Sequence, residues 1–336
     1  MLKILGDINF SDWYFDQGKG VGSSIVGGAD PFHKLPISSE DFWIGNLECV
    51  CADIPDKHYP FVISPALLTK IRHMDLYGIA NNHIMQAGEN AFYQTLTFLD
   101  NNGIKYAGAD NHRSITFIHQ SKKVGFMAFS MRPDNFTPTP SYWHLPELTE
   151  LKEELKKLEK CDFRIIFVHW GYEFINRPNI DQRQLAHWLI DEGADLIVGM
   201  HPHVTQGSEI YKGKNIFYSI GNTVFNMAWE PTRFGLMLNV DLSKDKPTVW
   251  SNYIKIGNDF FPEIVTDVPH PYTRDYLDSI ATIIDENEKY FAEVSIKTAK
   301  YTNANRKAII KRMLKMSPRT QFTLISDFIK RRLLSR

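Results

Sequence analysis

The chain has 336 residues, 38 Lys or Arg against 39 Asp or Glu, a formal net charge of −1 and 43% hydrophobic residues. That length allows one large domain or two ordinary ones around a sizeable core, and the near-zero charge gives no ground for expecting nucleic-acid binding. Its three cysteines, Cys49, Cys51 and Cys161, lack Cys-x-x-Cys spacing and argue against a disulfide framework or a cysteine zinc knuckle.

"MLKILGD" at the N-terminus carries no cleavage region, and no run approaches the ~18 apolar residues of a membrane span. A cytoplasmic location is the expectation. From 297 to 336 there are twelve Lys or Arg against one acid, Asp327, a local charge of +11. This tail is expected to form helices over 303–316 and 318–334, broken at Ser317-Pro318. It reads as docked on its own domain with a basic solvated face, or as touching the inner membrane surface peripherally.

In chain order, the first 245 residues alternate strands and helices as an α/β layered fold does. Strands are expected at Lys3–Leu5, Asp41–Gly45, Leu76–Ala80, Ile104–Ala107, Ser114–His119, Lys123–Ser130, Phe163–Val168 and Asp195–Gly199. Helices fall over Ser64–Met74, Gly88–Asn101, Pro146–Lys160 and Asn179–Glu192. A hairpin turns at Lys212-Gly213-Lys214, and Phe234–Val240 and Pro247–Ile254 continue the sheet. The segments 9–40 and 133–146 are long and irregular, a length that often accompanies function.

The strand ends carry a coherent set of polar residues. The first strand leads to Asp7 and Asn9, the second to Asn46 and Glu48, the third to Asn81, Asn82 and His83, a later one to His169 and Glu173, and Asp195–Gly199 to His201-Pro202-His203. Ligands of α/β sheets bind beyond the carboxyl ends of strands. Carboxylates, imidazoles and an Asn carbonyl are donors for borderline divalent metals, and Pro202 restricts the chain so that two rings can face one point. Asp7, Glu48, Asn82, His169, His201 and His203 offer donors for two ions, which could clamp an in-line displacement at phosphorus. Glu173 reads as a neighbour of the ligands or a surface carboxylate. Trp43, Trp170, Trp188, Phe217 and Tyr218 read as core or pocket wall rather than a base-stacking platform.

The stretches "GNLE" (45–48), "ANNH" (80–83), "HWGYE" (169–173), "GADLIVGMHPHV" (193–204) and "EIYKGKNIFYSIGN" (209–222) together resemble the CapA-type capsule-biosynthesis, or poly-γ-glutamate synthesis, proteins of the calcineurin-like metallophosphoesterase superfamily. The resemblance implies a four-layer α/β/β/α metallophosphoesterase-like sandwich, placed over 1–255; from the residues themselves, a loop and helix extension at 256–296 is expected to pack on it, followed by the basic helical tail at 297–336. The resemblance also implies two divalent ions, Mn, Fe or Zn. Asp7 would hold the first together with Asn9, Glu48 would bridge, Asn82, His169 and His201 would hold the second, and His203 would return to the first. His83 would be the uncoordinated histidine assisting the leaving oxygen, and Asn46, Asn81, Trp170, Glu173 and Asn222 would support ligands or substrate.

Four departures stand out. Asn9 occupies the place of a histidine ligand in the wider superfamily, Glu48 replaces an aspartate, Gln86 stands where aspartate is frequent, and an arginine often found near Phe61-Val62 is missing. The expected activity is metal-dependent phosphoester hydrolysis of a phosphorylated or anionic substrate in capsule, poly-γ-glutamate or exopolysaccharide biosynthesis. Two alternatives stay open: a non-catalytic metal-binding assembly or polymer-recognition factor, and hydrolysis at an amide or ester of the polymer.

Overall fold

The computed structural model describes residues 1–13, 16, 18–54, 61–71, 73–283, 287–314 and 321. Its strands are β1 (Leu2–Ile8), β2 (Phe42–Leu47), β3 (Val50–Cys51), β4 (Val62–Ile63), β5 (Leu76–Gly78), β6 (Lys105–Ala107), β7 (Ser114–His119) and β8 (Lys122–Ser130) in the first part. There follow β9 (Phe163–His169), β10 (Leu196–Met200), β11 (Ser208–Tyr211), β12 (Lys214–Phe217), β13 (Asn222–Val224), β14 (Phe234–Asp241), β15 (Thr248–Ile256) and β16 (Pro262–Val265). Helices α1 (Val21–Val26), α2 (Pro65–Leu68), α3 (Glu89–Asn101), α4 (Leu148–Lys157), α5 (Ile180–Asp191), α6 (Arg274–Ala281) and α7 (Asn287–Met313) complete the described elements, with a 3-10 turn at Glu230–Arg233.

One sheet runs β16-β15-β14-β1-β2-β5-β6, with β13 paired to β1; the other runs β11-β12-β10-β9-β8-β7. The strands β1, β2, β5 and β6 are mutually parallel, as are β8, β9, β10 and β12. Parallel strands demand crossovers, and α3, α4 and α5 supply them.

Side-chain alternation shows how the layers stack. On β8, Phe126 and Ala128 enter a core shared with Leu2, Ile4, Leu76, Phe167 and Val198, which joins the two sheets. Met127 and Phe129 point the other way, to Leu151, Leu155, Leu189 and Ile190 of α4 and α5. On the far side of the first sheet, Phe92, Leu96 and Leu99 of α3 close the core. The result is the four-layer α/β/β/α sandwich expected. Helix α5 starts on a capping box, Asn179 Oδ1 accepting from the Gln182 amide at 2.8 Å while the Gln182 side chain accepts from the Asn179 amide at 3.0 Å.

Two expected helices differ from the structure. Ser64–Met74 is helical only over Pro65–Leu68; beyond it the Lys70 and Ile71 amides donate to the carbonyls of Leu67 and Leu68, three residues back. These turns bury Leu67, Leu68, Ile71 and Met74 as a longer helix would have, so the apolar spacing alone did not distinguish them. The helix expected over 303–316 begins at Asn287, as one 27-residue element ending at Met313. The break at Ser317-Pro318 and the helix over 318–334 lie outside the described residues. Among the described residues no helix is long and apolar enough to cross a membrane.

Helix α7, about 40 Å long at 1.5 Å per residue, crosses the loops at the carboxyl edge of the sheets. Tyr290 and Phe291 meet Tyr172, Lys297 pairs with Glu293 at 2.7 Å, and the Tyr301 ring stacks on Phe174 at 4.0 Å. Near its end, Arg312 reaches Asp16 at 3.2 Å and Asn226 at 3.1 Å. The loops it touches lie after β9, β13 and β1.

Candidate metal centre

Strand register brings the polar residues to one edge. Across the first sheet Asp7 of β1 pairs with Asn46 of β2 and with Asn222 of β13, and Asn46 pairs with Gly78. Across the second, His169 of β9 lies between Ser130 of β8 and Met200 of β10. The chain then turns abruptly: His201 and His203 both have positive φ, 93° and 57°. Such backbone costs a non-glycine residue about 1–3 kcal/mol and is held by its surroundings. Here it folds the two imidazoles back to ring centroids 6.0 Å apart, while the His201 amide donates to Asp7 Oδ2 at 3.2 Å.

The side chains converge. Asn46 Nδ2 donates to Asp7 Oδ1 at 2.8 Å and Glu48 Oε1 at 3.3 Å. His169 Nε2 lies 2.8 Å from Asn82 Oδ1 and 3.4 Å from Glu48 Oε1. His203 Nδ1 sits 2.9 Å from Asn222 Oδ1 and 3.4 Å from Asp7 Oδ2, and its Nε2 is 3.9 Å from Glu48 Oε2. Asp7, Glu48, Asn82, His169, His201 and His203 are all buried. Donor atoms of Asp7, Glu48 and His169 lie within 4.8 Å of one another, as do those of Glu173, His201 and His203.

Several of these atoms have no hydrogen-bond partner within the protein. Glu48 Oε2 and both ring nitrogens of His201 are buried without a hydrogen bond. Each such orphan costs about 1–3 kcal/mol, and buried polar atoms are otherwise nearly always satisfied. An oxygen and imidazole nitrogens converging in this way form a donor set that can hold divalent cations.

Burial and neighbouring charge set the protonation of the site. Burial, then the neighbouring Asp7, pushes the Glu48 carboxyl well above its ordinary range. Burial and the surrounding histidines hold His169 and His201 well below theirs. His203 is opposed by burial, yet the Glu48 charge and its contact with Asp7 prevail and raise it to about 10.

His83 stands at the rim. Its Nδ1 is 2.8 Å from Gln86 Oε1, and its ring stacks on Phe61 at 3.8 Å between centroids. Burial lowers it to about 4, against the Gln86 hydrogen bond, so it is neutral at neutral pH rather than poised there. With Gln86 Oε1 accepting from Nδ1–H, the lone pair belongs to Nε2.

Other expected residues take supporting positions. Asn81 Nδ2 donates to the Leu47 carbonyl at 2.8 Å, tying the β5 loop to β2. Asn222 Nδ2 donates to the Thr232 carbonyl at 3.0 Å. Trp170 faces the outer core, with Nε1 donating to the Tyr218 carbonyl at 2.8 Å. Asn9 is buried beside Asp7, but its Oδ1 accepts from the Ser11 amide at 2.9 Å and from Ser11 Oγ at 2.7 Å. Its carbonyl therefore shapes the loop after β1.

Glu173 lies closer to the histidine pair than a surface reading implied. The positive φ of Gly171 and Phe174 turns its loop back on the site. Arg132, two residues beyond β8, was not among the expected residues; a scan of every strand end would have included it.

An α/β/β/α sandwich carrying a buried cluster of carboxylates and imidazoles at its parallel strand ends defines a protein with a candidate divalent-metal centre. The family model described as bacterial capsule synthesis protein PGA_cap matches residues 2–227, and the chain belongs to that family. It is 35% identical over 184 residues to the PGA biosynthesis protein CapA of Bacillus subtilis, covering 49% of this chain and 46% of that protein. Against the capsule biosynthesis protein CapA of Bacillus anthracis the identity is 29% over 180 residues, covering 49% and 43%. The matched stretch thus spans less than half of either relative. Among solved structures, a phosphatase from Mycoplasma pneumoniae superposes with a TM-score of 0.48 at 15% identity, over 76% of this chain and 92% of that one.

Proposed function

We propose that the chain is a metal-dependent phosphoesterase-like hydrolase acting on a phosphorylated or anionic intermediate of capsule or exopolymer biosynthesis. The observation that carries this reading is the set of orphaned, buried donor atoms on Glu48 and His201, facing Asp7, His169 and His203. Asp7, Glu48, Asn82, His169, His201 and His203 would hold two divalent ions, Mn, Fe or Zn, with Glu173 beside the histidine pair. When bound, the ions supply positive charge for the developing phosphoryl oxyanion and acidify water.

The chain's own residues supply the rest. Asn46 fixes both Asp7 and Glu48 through one amide. Asn222 orients His203 through Nδ1. His83 offers Nε2 as a proton acceptor, and it becomes a donor to a leaving oxygen once a bound anion raises its affinity for a proton. Membership of the capsule-synthesis family supports the biosynthetic setting.

The depressed His83 also favours a second reading, in which the fold binds metal and a polymer-pathway partner without turnover. Elemental analysis of the purified protein, paired with hydrolysis of an aryl phosphate and an aryl phosphodiester, separates the two. The hydrolase reading expects stoichiometric divalent metal and a rate that falls about a hundredfold or more in His83→Ala with metal retained. Metal without turnover in either variant supports the second reading, and protein that takes up no divalent metal sinks both.

A further inference from the structure

Beside the cluster lies a cavity of about 630 Å³, with Met131, Arg132, Trp170, Tyr172, Leu185 and Trp188 among its lining residues. Its walls are the loops after β8 and β9 and the first turns of α5; the loop after β9, which carries Glu173, is the one it shares with the candidate centre. Among the described residues, Arg132 is the only base in that lining and Asp181 the only acid.

The placement of Arg132 is fixed by its backbone. Its amide donates to Ser130 Oγ at 3.1 Å, and the preceding Met131 amide donates to the His169 carbonyl at 2.9 Å. Arg132 is therefore held against the strand that ends in His169. Yet its Nε–H is buried with no acceptor, and among the described residues it makes no ion pair. A planar guanidinium with an unsatisfied buried donor, at the seam between a cation site and an open cavity, suits a forked oxyanion.

We infer that Arg132 is a substrate-binding residue, its guanidinium pairing with an oxyanion of the substrate while the rest of the molecule occupies the adjoining cavity along Trp170 and Trp188. The inference rests on the hydrolase reading for the word substrate, but the anion site stands without metal. Arg132 supplies the planar contact a phosphoryl or carboxylate group requires, and the indole walls accept an apolar or planar remainder.

The test is calorimetric titration of inorganic phosphate, and separately of glutarate, into metal-loaded and metal-stripped protein, for wild type, Arg132→Gln and Arg132→Lys. The expected result is a Kd about tenfold to a hundredfold weaker in Arg132→Gln for at least one of the two anions, with metal content unchanged and partial recovery in Arg132→Lys. The anion affected tells phosphoryl from carboxylate recognition. Equal affinities across the three proteins, or no binding of either anion by wild type, overturn the inference. If wild type takes up no metal but still binds anion through Arg132, the hydrolase reading fails and this one survives; thermal melting of each variant confirms that it is folded.

Discussion

Glu48→Gln separates a metal ligand from a structural carboxylate by the sign of its effect. Glu48 is fully buried, its Oε2 has no hydrogen-bond partner, and it faces Asp7. In metal-free protein the side chain is a liability, because an unsatisfied buried polar atom costs about 1–3 kcal/mol. The neutral isostere keeps a polar atom in that place but removes the carboxyl's repulsion with Asp7, a relief of about the same size. At roughly 2.1 cal/mol/K per residue, unfolding 336 residues carries an entropy of about 0.7 kcal/mol/K, so the melting temperature should rise by about 1.5–4 °C. Wild type saturated with metal at a thousandfold excess over Kd gains about 4 kcal/mol, or about 6 °C on the same scale; Glu48→Gln should lose most of that gain. Scanning calorimetry with chelator and with Mn²⁺ or Zn²⁺ reads both shifts. A variant that melts several degrees lower without metal, and still responds to it as wild type does, would refute the argument that Glu48 is kept for a cation.

The same geometry sets two further outcomes. His203 in the metal-free protein is raised from 6.5 to about 10, so its proton stabilises the fold fully below about pH 6.5, and that contribution is lost as pH climbs through about 10. Metal-free melting temperature should therefore decline across that window, His203→Gln should flatten the decline, and metal uptake should release protons in an indicator assay. Tyr301→Ala removes the 4.0 Å stack on Phe174, worth about 0.5–1.5 kcal/mol; loss of metal to a chelator should quicken about two- to tenfold, with amide exchange in α7 rising, and an unchanged release rate would mean that α7 does not cover the centre.

Much of the fold was legible because its signals are local. Short β-branched and aromatic runs such as Phe163–Val168, each ending at a polar residue, announce buried parallel strands, and β9 extends that run by a single residue to His169. Register then aligns what sequence could only list, Asp7 opposite Asn46 and His169 opposite Met200. Less local features were hidden. Nothing in "HWGYE" says that Gly171 and Phe174 adopt positive φ and swing Glu173 toward His201. Asn9 was expected among the ligands of the first ion, and nothing in its sequence context announces that its carbonyl accepts from Ser11. His83 is ordinary by type and displaced to about 4 by what surrounds it. The course of α7 depends on contacts more than a hundred residues apart in sequence, such as Arg177 with Glu293, and no periodicity encodes them.

The family model ends at residue 227, yet Tyr301 and Arg312 of α7 reach Phe174, Asp16 and Asn226. The matched region and the rim contacted by α7 therefore have different boundaries along this polypeptide. A chimera joining residues 1–227 to another relative's C-terminal half would inherit the candidate ligands but exchange the roof above them. Divergence in what such proteins admit to their centres can accordingly accumulate in a segment that aligning the shared motifs would discard.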